Sequence, residues 1–182
     1  FHRPGSGALY DMGVHGLTMT TGILGPAKAV GCMAKISEPV RTVRTGTFDG
    51  MKIQADQLYD NYIITLDYGD RAMAVVESGF CQKDSRAPQM EICGTKGTIS
   101  FANNGNMNPM YSLEVYLDAP ERGIRGWLKP MEGDIPACEM NFFQCKVVQD
   151  LIYAIEEDRP VGLPPEHARH VVDIMCTIPE AI

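Results

Sequence analysis

Two pairs of apolar runs in this chain are joined by only two residues each. YDNYIITLDY (59–68) and RAMAVVESGF (71–80) are linked by Gly69-Asp70, and QMEICG (89–94) and GTISFA (97–102) by Thr95-Lys96. So short a link forces each pair into an antiparallel hairpin, because a parallel crossover consumes a dozen or more residues. AKAVGCMAKI (27–36) and SLEVYL (112–117) have the same β-branched and aromatic character between turn residues. In the first hairpin Tyr62, Ile64, Leu66 and Tyr68 alternate with Asn61, Ile63, Thr65 and Asp67, which predicts one face on a core.

The period changes near both ends of the chain. ALYDMGVHGLTMTTGIL (8–24) spaces Leu9, Met12, Leu17, Thr20 and Leu24 at helical intervals, and Gly25-Pro26 stops the run. Its internal Gly13, Gly16 and Gly22 each cost about 1 kcal/mol against alanine, so a close approach or packing must compensate. In 138–160, Phe143, Val147, Leu151 and Ile155 form an i, i+4 stripe flanked by Met140, Val148 and Ile152, which predicts a second helix ending at Pro160. A third follows Pro164-Pro165, with Val171, Val172, Met175 and Ile178 as its apolar face and Pro179 at its end. The stretch 103–137 reads as loop with one strand near Arg125 to Lys129. Strands followed by helices make an α+β domain: a largely antiparallel (mixed) sheet with helices on one face, the whole of 1–182 being one domain. Tyr62 and Met73 hint that the other face is apolar, which calls for a second subunit or another domain as cover.

A net charge of −7 with sixteen scattered Lys and Arg offers no basic face for nucleic acid or an anionic membrane. The six cysteines include no C-x-x-C pair, and read as reduced, small apolar residues of a cytoplasmic protein. No apolar run is long enough to span a bilayer. The sequence opens FHRPGSG and goes at once into a patterned segment, as a fragment does when an upstream part has been removed.

Asp11 and His15 stand four residues apart, so on a helix they share a face and can touch. A carboxylate beside an imidazole fixes its tautomer and raises its basicity, as a histidine needs in order to take a proton from a hydroxyl near neutral pH. Spacing alone favours a helix-surface or partly buried pair with no chemistry. Gly5, Gly7, Gly13 and Gly16 tip the balance, since they open room for a ligand or another backbone beside the pair. His167 and His170, with Glu166 and Asp173 nearby, invite a metal reading, but solvated histidines on a polar helix face are favoured and no metal site is assigned. GTKG (94–97) leads into no helix and reads as a β-turn rather than a phosphate loop. Arg125 and Trp127 could present a guanidinium and a ring to a polyhydroxylated ligand, or lie in an exposed loop around a buried Trp. No G-x-G-x-x-G occurs, so this chain alone lacks the usual means of holding a dinucleotide.

GSGALYDMGVHGL followed by GILGPAKAV resembles the opening of the C-terminal domain of the glucose-fructose oxidoreductase and inositol dehydrogenase (Gfo/Idh/MocA) family, with its glycine cluster and L-x-D-x-G-x-H. GTKGTI (94–99) resembles a hairpin of that family's large sheet, and EEDRPVGLPPEHARHVVDIM its closing helices. The resemblance implies the substrate-binding and catalytic half of a two-domain dehydrogenase acting on a secondary alcohol of a sugar, cyclitol or similar compound. NAD or NADP would be bound mainly by an N-terminal Rossmann domain that this chain lacks, and the isolated chain would be inactive. His15 is then the proton acceptor or donor at the substrate hydroxyl, and Asp11 assists it or binds substrate. A lysine of the first domain would complete the site. The resemblance also implies a homodimer or homotetramer assembled through the open sheet face. Two other readings stand beside it: a non-catalytic oligomerisation and substrate-holding module of an inactive relative, and a metal-dependent hydrolase, which would need a third ligand near Asp11 and His15.

Overall fold

The computed structural model of the chain describes residues 5–101, 113–128 and 143–182. These residues fold as α+β, with antiparallel pairing at every strand contact among them. They divide into two compact units, Phe1–Gln82 with Pro160–Ile182, and Lys83–Arg159.

In the first unit, β1 (Ala29–Lys35), β4 (Asn61–Asp67) and β5 (Met73–Gly79) make a three-stranded sheet in the order β1-β4-β5. The β4–β5 hairpin forms where the short link requires it. Because the Tyr68 N–H donates to the Ala72 carbonyl, its loop is Gly69–Arg71, one residue longer than the apolar pattern suggests. Gly69 supplies the positive φ (70°) that starts the loop. The alternation in β4 is realised: Tyr62, Ile64, Leu66 and Tyr68 are all buried. A helix α1 (Val14–Leu24) and a helix α3 (Pro165–Thr177) cover that face, and Leu17, Val171, Ile174, Met175 and Ile178 join the strand residues in one core. In α3 Ile174 is buried with Val171 and Met175, and Val172 is exposed. A helix face runs i, i+3, i+4, i+7, which selects 171, 174, 175 and 178 and turns 172 outward.

The opposite face of this sheet is uncovered among the described residues. Met33, Ile63, Val75 and Met73 stand there, Met73 at 86% exposure. Tyr62 belongs instead to the core face, as strand parity demands.

Between β1 and β4 lies a ribbon absent from the sequence reading, β2 (Val40–Thr42) paired with β3 (Lys52–Gln54). It is tied to the sheet by one buried carboxylate. Asp60 accepts from the backbone N–H groups of Ser37 (2.7 Å) and Glu38 (2.9 Å), from Arg41 Nη2 (3.0 Å) and from Cys81 Sγ (3.1 Å). The guanidinium of Arg41 also lies over the ring of Phe80. Burial alone would raise the Asp60 pKa; the Glu38 and Ser37 amides, the Cys81 thiol and Arg41 outweigh it and hold the carboxyl below the usual range.

In the second unit, β6 (Met90–Gly94), β7 (Gly97–Phe101), β8 (Leu113–Ala119) and β9 (Ile124–Leu128) form a meander in that order. Thr95-Lys96 is the two-residue turn of its first hairpin, closed by the Gly94–Gly97 pair. Trp127, on β9, is exposed and packs edge-on against Tyr116 at 5.5 Å, while Arg125 pairs with Asp118 at 2.9 Å. Neither residue lies in a loop, and the Trp is not buried. The helix α2 (Phe143–Glu156) forms within the predicted span, whose first residues, 138–142, lie outside the described residues. Of its apolar stripe, Val147, Leu151 and Ile155 are 50% exposed or more, while Ala154 is buried.

Candidate active site

The segment from 5 to 24 approaches the sheet through two glycines in the left-handed region, Gly5 (φ 86°) and Gly7 (φ 97°). It then coils for five residues as a π-helix, Leu9–Gly13, before continuing as α1. The Val14 N–H closes the wide turn on the Leu9 carbonyl. Such turns are rare and concentrate at functional sites.

Leu9, Gly13, Leu17 and Thr21 recur every four residues and are all buried on the inner side of the coil. The sheet comes very close on this side. A Cβ on Gly16 would lie 2.7 Å from Val76 Cγ1, and one on Gly13 would lie 3.2 Å from Ser78 Oγ. These two glycines therefore admit strand β5, not a ligand. Of the alternatives open in the sequence, close approach by neighbouring structure is the one realised there. Beside Gly5, by contrast, a Cβ would meet nothing within 4 Å.

Asp11 and His15 are offset by two residues from the buried row, roughly 200° round a helix, and both are exposed. They share the outer face, as their spacing predicts. Among the described residues neither side chain makes a hydrogen bond or ion pair, so the carboxylate does not touch the imidazole. Asp11 lies inside the π turn and His15 beyond it, in α1. The backbone at Asp11 is nonetheless fixed, its N–H donating to the Gly7 carbonyl at 3.0 Å. The neighbouring phenol of Tyr10 is pushed up by burial and by Cys176 beside it, so it stays protonated.

His167 and His170 are half-buried and bonded within the fold. His167 Nε2 lies 2.7 Å from Thr21 Oγ1, whose hydroxyl also reaches the Leu17 carbonyl, and His170 Nε2 accepts the Ala27 N–H at 3.0 Å. An N–H donor fixes His170 as the neutral tautomer protonated on Nδ1. The two rings join α3 to the end of α1, which is a structural task that their spacing did not reveal. Among the described residues no three His, Cys, Asp or Glu side chains gather as metal ligands would. With antiparallel pairing throughout, the described residues also contain no βαβ crossover of the kind that cradles a dinucleotide, so they do not fit one by themselves. No helix among them is long and apolar enough to cross a membrane.

Ser78 escaped the sequence reading. Buried on β5, it donates its hydroxyl proton to the Ala8 carbonyl at the head of the π turn, 2.9 Å away. Nothing local in VVESGF distinguishes it.

The chain aligns structurally with several solved oxidoreductases. An NAD-binding oxidoreductase from Klebsiella pneumoniae is 21% identical with a TM-score of 0.73, over 97% of this chain and 48% of that one. Levoglucosan dehydrogenase, solved with NADH and levoglucosan, is 23% identical with a TM-score of 0.69, over 97% and 48%. UDP-N-acetylglucosamine 3-dehydrogenase from Acidithiobacillus ferrooxidans is 15% identical with a TM-score of 0.63, over 99% and 50%. The chain thus spans about half the length of the structures it matches. Among curated proteins none matches it. The sequence profile of the GFO/IDH/MocA C-terminal domain matches residues 1–100, and the chain therefore belongs to the GFO/IDH/MocA oxidoreductase family, of which it carries the C-terminal domain.

Proposed function

We propose that this chain is the substrate-binding and proton-transfer half of an NAD(P)-dependent oxidoreductase acting on a secondary alcohol of a sugar, cyclitol or related compound. The observation that carries the reading is the state of the D-x-G-x-H segment: Asp11 and His15 stand exposed and unpaired among the described residues, on the outer face of a coil whose inner face is locked to β5. Two titratable groups left without partners on a rigid support are available to a ligand. In the oxidation, the substrate carbon loses hydride to the nicotinamide while His15 takes the hydroxyl proton and Asp11 binds a neighbouring hydroxyl or supports the imidazolium. Reduction uses the same groups in reverse. The sugar-acting dehydrogenases among the structural relatives support the substrate class.

The nicotinamide dinucleotide belongs, in this reading, to a further domain of the full-length protein, which we place in the cytoplasm. The test is NAD- and NADP-linked turnover of that full-length protein over a panel of sugars and cyclitols, beside this chain alone. Turnover by the full-length protein and none by the chain is the expected result; no turnover with any polyol would contradict the reading and favour the non-catalytic module. The exposed Met33, Ile63, Met73 and Val75 are the surface through which two or four copies would associate. Met73→Lys should then shift the sedimentation of the full-length protein toward the monomer, and an unchanged profile would remove that surface from consideration.

A further inference from the structure

We infer that Ser78 is a positioning residue that sets the π turn and, through it, the bearing of Asp11 relative to His15; the inference rests on the function proposed above. Three observations meet at this side chain. Its hydroxyl is a donor, and it is spent on the carbonyl of Ala8, the residue at which the π turn begins. Its Oγ and Cβ lie where any side chain on Gly13, the last residue of that turn, would have to go, at 3.2 and 3.4 Å from the position of a Cβ. It is 6% exposed, so no water substitutes for it cheaply. Ser78 therefore touches both ends of the five-residue coil from a single rung of β5, opposite Tyr62 in the register.

The consequence lies on the far side of the same coil. A helix that passes from Ala8 to Val14 in ordinary α register would lose the extra residue of the wide turn, rotating the chain ahead of the coil by about 100° relative to α1 and Asp11, within the coil, by part of that. Asp11 lies inside the wide turn and His15 beyond it, in α1. The choice between π and α register thus decides which way the carboxylate faces while leaving the imidazole in place. A hydroxyl bonded to a helix carbonyl is one of the few devices that hold such a local deviation. Gly13 and Gly16 hold the coil against β5 but carry no direction for the Ala8 carbonyl; Ser78 supplies it.

The test uses the full-length protein with Ser78→Ala, Ser78→Cys and Ser78→Thr, read against His15→Ala. Cysteine fills the space of serine with a much weaker donor, and threonine keeps the hydroxyl. Loss of alignment at a reacting pair costs about tenfold to a hundredfold. The alanine and cysteine variants should lose that much in kcat with KM for the polyol held. Their pH–kcat profiles should be displaced, since Asp11 has moved relative to His15, and the threonine variant should recover most of the loss. Amide and Cα chemical shifts of residues 8–14 should move in the alanine and cysteine variants and not in the threonine one. If His15→Ala loses activity while Ser78→Ala and Ser78→Cys keep the wild-type kcat and pH profile, Ser78 is structural only and the inference fails by itself. If His15→Ala keeps activity, the proposed function fails first and the inference falls with it.

Discussion

Asp60 and the pair Asp11 and His15 lie in the same compact unit and are treated in opposite ways. Asp60 is 3% exposed and takes two backbone amides, a guanidinium and a thiol. Asp11 and His15 are exposed, and among the described residues their side chains have no such partner. A carboxylate that is buried and fully paired fixes the chain around it, here the ribbon β2–β3 against the strand that carries Asp60. A carboxylate and an imidazole left unpaired on a braced coil contribute little to folding and remain free for chemistry. On the function proposed above, the difference separates stability from chemistry within some fifty residues of sequence, and mutations can test each side separately.

The largest effect on stability is expected at Asp60. Asp60→Ala leaves Arg41 and two amides without their shared acceptor, and removing one partner of a buried ion pair costs about 3–5 kcal/mol. Urea unfolding of the chain measures it, and a loss under 1 kcal/mol would mean that water replaces the carboxylate without difficulty. Next in size is Gly16→Ala, whose methyl would meet Val76 at 2.7 Å; overpacking of this kind costs about 1–3 kcal/mol. A stabilised Gly16→Ala, as helix propensity alone would give, would show that α1 is not pressed on β5.

Acid should distinguish the two carboxylates further. Because the folded-state pKa of Asp60 is depressed, its contribution is present above the unfolded-state value of about 3.9 and is lost as pH falls through the folded one. The wild-type chain should therefore lose stability below about pH 4 more steeply than Asp60→Asn, and parallel curves would remove Asp60 as the cause. The smallest effect is expected at His15. An exposed residue without partners changes stability by no more than about 0.5 kcal/mol on substitution, so His15→Ala should unfold with the wild type.

Much of this contrast was written locally and some was not. The hairpins, the buried row of β4 and the three helices follow from spacing, because each is decided by residues within one turn or one strand of each other. The Asp60 cluster was invisible, since its partners sit at 37, 38, 41 and 81 and become neighbours only when β4 pairs with β1 and β5. β2 and β3, at three residues each, are too short to show a period. The stripe of α2 has a helical period but is exposed in Val147, Leu151 and Ile155; periodicity shows that a face exists and not that it is covered. Around the candidate site, Asp11 and His15 were legible as a pair sharing a face. The π turn beneath Asp11 was not, because one extra residue in a coil leaves the apolar rhythm nearly intact. Gly13 and Gly16 announced a close approach without saying to what, and the answer, Val76 and Ser78, lies some sixty residues away.

The most direct test of the division between a paired structural carboxylate and an unpaired reactive pair is the kcat of the full-length protein carrying His15→Ala, at saturating polyol and cofactor. A loss of about 100-fold or more, the size expected for a missing general base, with unchanged unfolding, is the predicted result. Near-normal turnover would contradict it, leaving His15 a surface residue and the proton transfer to some other group.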